Sequence, residues 1–142
     1  MPQHAHTVGL VAGTFDLPHA GHVLMLAEAK SLCERLIVAL HVDPSREHSH
    51  KRPPIMSVGE REIMLRAIRY VDDVVRYETE SELFDLLSDR VDLRVLGIEY
   101  KDRPFTGSQL PIRVHFTGRD HGFSTTELRR RVWSAEQCLN AA

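Results

Sequence analysis

Apolar residues at 8–12 form a short run that stops at Gly13, and a second run at 36–42 repeats the pattern. Both segments read as buried strands. Between them Met25, Ala29, Leu32 and Cys33 fall at helical spacing, so the opening of the chain predicts a β-α-β unit. Ser57 and Glu60 offer a capping box for a second helix, along which Ile63, Ala67, Tyr70 and Val71 keep helical spacing while Glu62, Arg66 and Arg69 take another face. A short strand at 74–77 follows, then a capping box from Thr79 to Glu82 ahead of Leu83, Phe84, Leu86 and Leu87. Extended structure resumes at 93–96 and halts at Gly97. A fifth strand at 112–116 and a last helix capped at Ser124, carrying Leu128, Val132 and Ala135, complete the series.

Strands and helices therefore alternate, which predicts a parallel sheet with helices on both faces, because each parallel crossover needs roughly a dozen residues or more. The expected fold is a doubly wound α/β domain around a five-stranded parallel sheet. Two long stretches, 43–56 and 98–111, lie outside the predicted elements. Each follows a strand, so both belong to the carboxyl edge of the sheet, where open α/β folds bind ligands at the reversal of strand order.

Composition narrows the class without changing this picture. The 142 residues fit one domain, 1–142, and 42% hydrophobic with 27% charged residues argues against a disordered or low-complexity chain. A formal charge of −2 removes the broad basic field of a general nucleic-acid binder but leaves room for a local anion site. Cys33 and Cys138 give neither a disulfide framework nor a paired-cysteine metal spacing, and each reads as a small packed hydrophobe in a reducing compartment. No run approaches the 18 or so apolar residues of a membrane span, and Met1-Pro2-Gln3-His4 is no cationic lead-in, so a cytoplasmic protein without membrane insertion is expected.

The most informative segment is Gly13-Thr14-Phe15-Asp16-Leu17-Pro18-His19-Ala20-Gly21-His22, between the first strand and the first helix. His19 and His22 stand three apart where the helix begins, so both imidazoles can address one point, and Gly21 admits close approach to the backbone. The free N–H groups and positive dipole end of the helix meet the same point and favour phosphate. Two ring donors and a helix terminus suit an in-line displacement at phosphorus, where negative charge grows on the non-bridging oxygens. Ser124, Thr125 and Thr126 set hydroxyls beside a second helix start and offer another anion cradle, although Ser124 with Glu127 also makes an ordinary cap. No Gly-x-x-x-x-Gly-Lys-Ser/Thr string and no cluster of closely spaced glycines after the first strand is present, which disfavours a P-loop enzyme and a dinucleotide oxidoreductase.

At these residues the chain resembles the nucleotidyltransferase superfamily whose signature is His-x-Gly-His after the first strand, and within it the small cytidylyltransferases of the glycerol-3-phosphate type. The likeness returns at Glu60-Arg61, at Ile68-Arg69-Tyr70-Val71-Asp72, at Val95-Leu96-Gly97 and at Gly122-Phe123-Ser124-Thr125-Thr126. The resemblance implies a Rossmann-like fold and transfer of a nucleoside monophosphate from a triphosphate to a phosphorylated alcohol or sugar, with release of pyrophosphate and with Mg2+ carried on the triphosphate. It assigns His19, His22, Lys51 and Arg119 to catalysis, and Gly13, Thr14, Phe15, Asp16, Gly21, Arg69, Ser124, Thr125 and Thr126 to the nucleotide. Asp43, Arg52 and Asp72 are expected at the acceptor, with Asp43 also suited to a magnesium-bound water, and Phe105, Thr106 and Gly107 at the base or acceptor pocket.

No protein metal site is expected: His41, His48 and His50 could in principle supply three zinc ligands, but His48 and His50 sit in an Arg-, Lys- and Ser-rich loop without a matching carboxylate and read as solvent-exposed or acceptor-binding. Two strings depart from the family pattern, Arg119-Asp120 where an Arg-Thr pair is usual and Ile98-Glu99-Tyr100 where an acidic pair is usual. Both bear on base and acceptor. CTP with a polyol phosphate is favoured, ATP with a sugar phosphate (heptose 1-phosphate type) or phosphopantetheine is the alternative, and a non-catalytic nucleotide-binding module is a second one. A homodimer is also implied, since related cytidylyltransferases pair.

Overall fold

The computed structural model describes residues 7–118 and 121–141. Five strands, β1 (Val8–Gly13), β2 (Arg35–His41), β3 (Asp73–Tyr77), β4 (Leu93–Gly97) and β5 (Arg113–Thr117), pair in the order β3-β2-β1-β4-β5. Every pairing is parallel, and Val11 of β1 stands in register with Val38 of β2 and Val95 of β4. The chain winds from β1 toward β3 on one side and then crosses to β4 and β5 on the other, so strand order reverses between β1 and β4. This is the doubly wound Rossmann-like fold that the sequence predicts.

Helices α1 (Ala20–Ser31), α2 (Val58–Arg66), α3 (Glu80–Arg90) and α4 (Thr125–Asn140) make the connections and close the chain. One core cluster packs Val11, Val38, Leu40, Val74 and Val95 with Leu26 and Ala29 of α1 and Leu65 of α2. The other packs Leu10, Ala39 and Tyr77 with Leu83 and Leu87 of α3. Alternate strand residues thus serve opposite faces, as a pleat demands.

Helix faces depart from the spacing in informative ways. Helix α2 ends at Arg66, with the Ala67 N–H shared among the carbonyls of Ile63, Met64 and Leu65, so Tyr70 and Val71 lie in the turn beyond it. Its buried face is Arg61 and Leu65, whereas Ile63 is 71% exposed. An arginine was the inward residue there, which hydrophobic spacing does not reveal. Helix α1 stops at Ser31, leaving Cys33 in the following turn, where it packs against Gly9. Cys33 is half-buried as expected, but Cys138 is exposed on α4. No residue of α4 is buried, and Val132 and Trp133 face outward. Among the described residues no helix is long and apolar enough to cross a membrane.

Candidate active site

A cavity of about 740 Å3 opens at the carboxyl edge of the sheet, lined by Gly13 of β1 and Thr14 just beyond it, by His41 of β2 and by Val95, Leu96 and Gly97 of β4. It straddles the reversal point between β1 and β4. Both long loops border it, the first through His48 and Lys51 and the second through Phe105 and Thr106.

His19 is the N-cap of α1 and takes the extended backbone that a cap requires. Its Nδ1 accepts from the Gly21 N–H at 3.0 Å, and the His22 Nδ1 accepts from the His19 N–H at 3.1 Å. In each neutral ring the proton therefore sits on Nε2. The His19 Nε2–H is 3.2 Å from Oγ1 of Thr125, the first residue of α4. The two ring centroids are 3.9 Å apart. Burial, and then the neighbouring His19, push the His22 pKa down to about 4, so at neutral pH His22 is an uncharged donor. The histidine pair and the tip of α4, 106 positions apart in the chain, thus meet across one pocket.

Gly21 makes this contact feasible. A Cβ there would stand 2.9 Å from Cε1 of His19 and 2.9 Å from Cε1 of His121. His121 adds a further imidazole to the cavity wall, and its Nδ1 accepts from the Phe123 N–H at 3.2 Å. The sequence signal for it was weak, since it precedes the Gly-Phe-Ser-Thr-Thr string without belonging to it.

The loop between β1 and α1 is held by strain and charge. Phe15 and Leu17 both take a φ of 51°, a left-handed conformation costly for residues with a side chain. Asp16, between them, is 7% exposed. Its carboxylate accepts from the N–H groups of Ile55 and Met56 at 2.9 and 3.0 Å and pairs with Arg129 of α4 at 3.1 Å. Burial alone would raise its pKa, but these three partners more than reverse the effect and hold it below the usual carboxylate range. Asp16 is thus a tie between the histidine loop, the 43–56 loop and α4, and is not placed to meet a nucleotide phosphate. Phe15 is buried against Gly13 and His22.

Arg61 plays a similar part from α2. At 1% exposure it is the largest fully buried side chain. Its guanidinium donates to the carbonyls of Met56 at 3.1 Å, Thr14 at 2.8 Å, His41 at 2.7 Å and Val42 at 2.6 Å, joining the ends of β1 and β2 to the loop. Sequence reasoning met this residue only as part of a family string.

The remaining expected residues divide. Lys51 borders both the large cavity and an adjoining one of 390 Å3, which Arg52 and Arg129 also line. Ser124 caps α4 by accepting from the Glu127 N–H at 3.0 Å, and Thr126 is exposed. Asp43 caps a single 3-10 turn at Pro44–Arg46, its carboxylate accepting from the Ser45 N–H and hydroxyl, and it does not line the cavity.

Arg69 and Asp72 are corrected: they lie ahead of β3, at the amino edge of the sheet. Asp72 accepts from the Leu36 N–H at 2.7 Å and from Lys30 at 2.6 Å, while Arg69 lies over the Tyr70 ring. Residues that start a parallel strand cannot reach the edge where all strands end. Arg119, with Asp120, falls outside the described residues. His41, in the run read as a buried strand, is 3% exposed and stacked on Tyr77, and Glu47 and Glu80 supply nearby carboxylates that the sequence did not place beside it.

With this geometry in place, the comparisons with known proteins bear on what the site is. The cytidylyltransferase-like family matches residues 10–131, a span that includes the histidine loop, the buried Arg61 and the Thr125 tip. The chain belongs to the cytidylyltransferase-like family. Membership places it in the nucleotidyltransferase superfamily. It is 32% identical to the bifunctional protein HldE of Campylobacter jejuni strain RM1221 over 133 residues, 93% of this chain and 29% of the relative. It is 38% identical to the bifunctional protein HldE of Gluconacetobacter diazotrophicus, over 90% of this chain and 28% of that protein. The chain thus spans under a third of the length of these curated relatives. The crystal structure of the lipopolysaccharide core biosynthesis protein from Thermoplasma volcanium shares the fold, with a TM-score of 0.59 at 20% identity over 93% of this chain and 90% of that one.

Proposed function

We propose that this protein transfers a nucleoside monophosphate from a triphosphate to a phosphorylated sugar, with ATP as donor and a heptose 1-phosphate type of acceptor. The likeness to HldE proteins supports the adenylyl branch of the framework better than the cytidylyl branch with a polyol phosphate, which the sequence alone favours. The observation that carries the reading is the 3.2 Å contact between His19 and Thr125, because it joins two helix N-termini and two ring donors at one anion site.

In the proposed reaction an oxygen of the acceptor phosphate attacks the α-phosphorus in line, a new P–O bond forms, the bond to the β-phosphate oxygen breaks, and pyrophosphate leaves. His22 donates through Nε2, as an uncharged ring at neutral pH, to an oxygen whose negative charge grows, and His19 does the same when its Nε2–H turns from the Thr125 hydroxyl to the bound phosphate. Lys51 adds a mobile positive charge from the loop after β2. Asp16 and Asp43, the acids the sequence offers here, are committed to Ile55, Met56 and Arg129 and to Ser45, so neither is free to cage a cation and the site fits Mg2+ carried on triphosphate oxygens and water. That cation would neutralise charge on the departing pyrophosphate.

A pyrophosphate-release screen crossing ATP, CTP, GTP and UTP with hexose 1-phosphates, heptose 1-phosphate, glycerol 3-phosphate and phosphopantetheine tests the reading. ATP with a sugar 1-phosphate is expected to give the highest kcat/KM. Turnover confined to CTP with glycerol 3-phosphate would return the assignment to the polyol cytidylyltransferase branch, and triphosphate binding without any turnover would leave a nucleotide-binding module.

A further inference from the structure

The cavity has a second polar region, on the opposite face of the sheet from α1. Arg94 of β4 shares a face with Leu10 and lies toward α3, is 6% exposed, and lines the cavity. Its Nε and Nη1 have no hydrogen-bond partner among the described residues, and neither has Nε2 of His41, which is 3% exposed and also lines the cavity. Buried polar atoms left unpartnered on two side chains beside the same open space are costly unless something in that space completes their hydrogen bonds.

The neighbours describe what that something is. His41 stacks on Tyr77 with ring centroids 4.4 Å apart. Glu80, at the start of α3, accepts from the Thr106 hydroxyl at 2.6 Å, lies 3.8 Å from the His48 Nε2, and gives its own N–H to the Glu47 carboxylate at 2.8 Å. The charged side chains lining the cavity are Arg94 and Lys51, which are positive, and Glu80 and Glu99, which are negative, with Glu47 behind Glu80. An extra anion would face both carboxylates, and a metal ion held by His41, Glu47 and Glu80 would face both cations. A balanced set of donors and acceptors suits neither, but it suits hydroxyl groups, each of which donates once and accepts.

We propose that Arg94, His41 and Glu80 form the subsite that reads the hydroxyl-bearing part of the acceptor, with Arg94 and His41 meeting its oxygens and Glu80 accepting from its O–H groups. The inference deepens the transfer reading and rests on it for the identity of the phosphate end. It makes Arg94 a specificity residue, because a buried donor left unpaired penalises any acceptor that lacks the matching hydroxyl.

The test is calorimetric titration of ethyl phosphate, glycerol 3-phosphate, glucose 1-phosphate and mannose 1-phosphate into the full chain loaded with α,β-methylene ATP. These probes share the phosphomonoester and differ in hydroxyls. At least one hydroxylated probe is expected to bind tenfold or more tightly than ethyl phosphate, and Arg94→Met is expected to bring that preference within twofold. Should Arg94→Met fail to fold, Glu80→Gln, which keeps the side-chain volume, is expected to do the same. Equal affinity for all four probes in the wild type, or a full preference retained in the folded variants, overturns the subsite. Hydroxyl-dependent binding with no pyrophosphate release from ATP in the parallel assay refutes the transfer reading and leaves the subsite standing. Release with a preference that ignores Arg94 and Glu80 does the reverse.

Discussion

The His19 Nε2 lies 3.2 Å from the Thr125 Oγ1, and this contact fastens the start of the first helix to the start of the last. Each helix brings its positive dipole end to the junction, so the two add at one place instead of acting singly. The His22 ring, 3.9 Å from that of His19, extends the donor surface. An anion bound there meets donors held in place by the two helix starts, the uncharged His22 ring among them, as its charge grows.

Removing either ring is therefore expected to cost more in turnover than in fold. His19→Ala and His22→Ala should each lower kcat by about a hundredfold or more, in line with the loss of a preorganised donor at a developing oxyanion. Pyrophosphate-release kinetics at saturating ATP and acceptor check this, and unchanged kcat in both variants would refute the roles given to the rings.

Gly21→Ala separates helix stability from site geometry. Alanine in a helix is favoured over glycine by about 1 kcal/mol, but here its Cβ would lie 2.9 Å from carbons of His19 and His121. The expected outcome is an unfolding midpoint in urea close to that of the wild type with kcat/KM for triphosphate reduced by about tenfold or more. A variant of full activity would show that the two rings can move apart without consequence.

The pH dependence of stability follows from His22. Its folded pKa of about 4 lies below the ordinary value of 6.5, so between these values the unfolded chain binds the proton more readily. The stability contributed by the neutral ring is present above about pH 6.5 and is lost as pH falls toward 4. Thermal melts across this range should show a falling Tm that flattens in His22→Asn. Asp16 acts in a separate, more acid window: its pKa is held below the usual carboxylate value, and its contribution is lost as pH falls through that lowered value. A Tm independent of pH between 6.5 and 4 in the wild type would contradict the burial of His22.

Arg61→Met tests the hidden tie beneath the cavity. The substitution leaves the carbonyls of Thr14, His41, Val42 and Met56 without their shared donor. With each of the four orphaned acceptors costing about 1 kcal/mol, the loss should reach roughly 4 kcal/mol, read as a lower urea midpoint at unchanged m-value. A loss below about 1 kcal/mol would mean that water replaces the guanidinium without penalty.

Much of this was legible in the chain because local chemistry and global fold agree. Short apolar runs ending at Gly13 and Gly97, together with cap residues Ser57, Thr79 and Ser124, mark the alternation, and the structure places strands and helices accordingly. The histidine pair was legible because three-residue spacing at a helix start constrains both rings. What escaped was charge that had gone inside. Arg61 and Arg94 read as solvated residues by type, yet each is buried, one by four carbonyls and the other beside an open cavity. The misplacement of Arg69 and Asp72 has another cause, since a family string shows that residues recur together without showing which end of a parallel strand they occupy.

The shared anion pocket is tested most directly by a double-mutant cycle on triphosphate affinity. ATP is titrated calorimetrically into the wild type, His19→Ala, Thr125→Val and the double variant, all with Mg2+ present. Each single change is expected to weaken binding by about fivefold or more, and the double change by clearly less than the product of the two, because both act on one phosphate site. Affinities that stay within twofold of the wild type in both single variants, or that multiply fully in the double variant, would contradict a common pocket at the two helix tips.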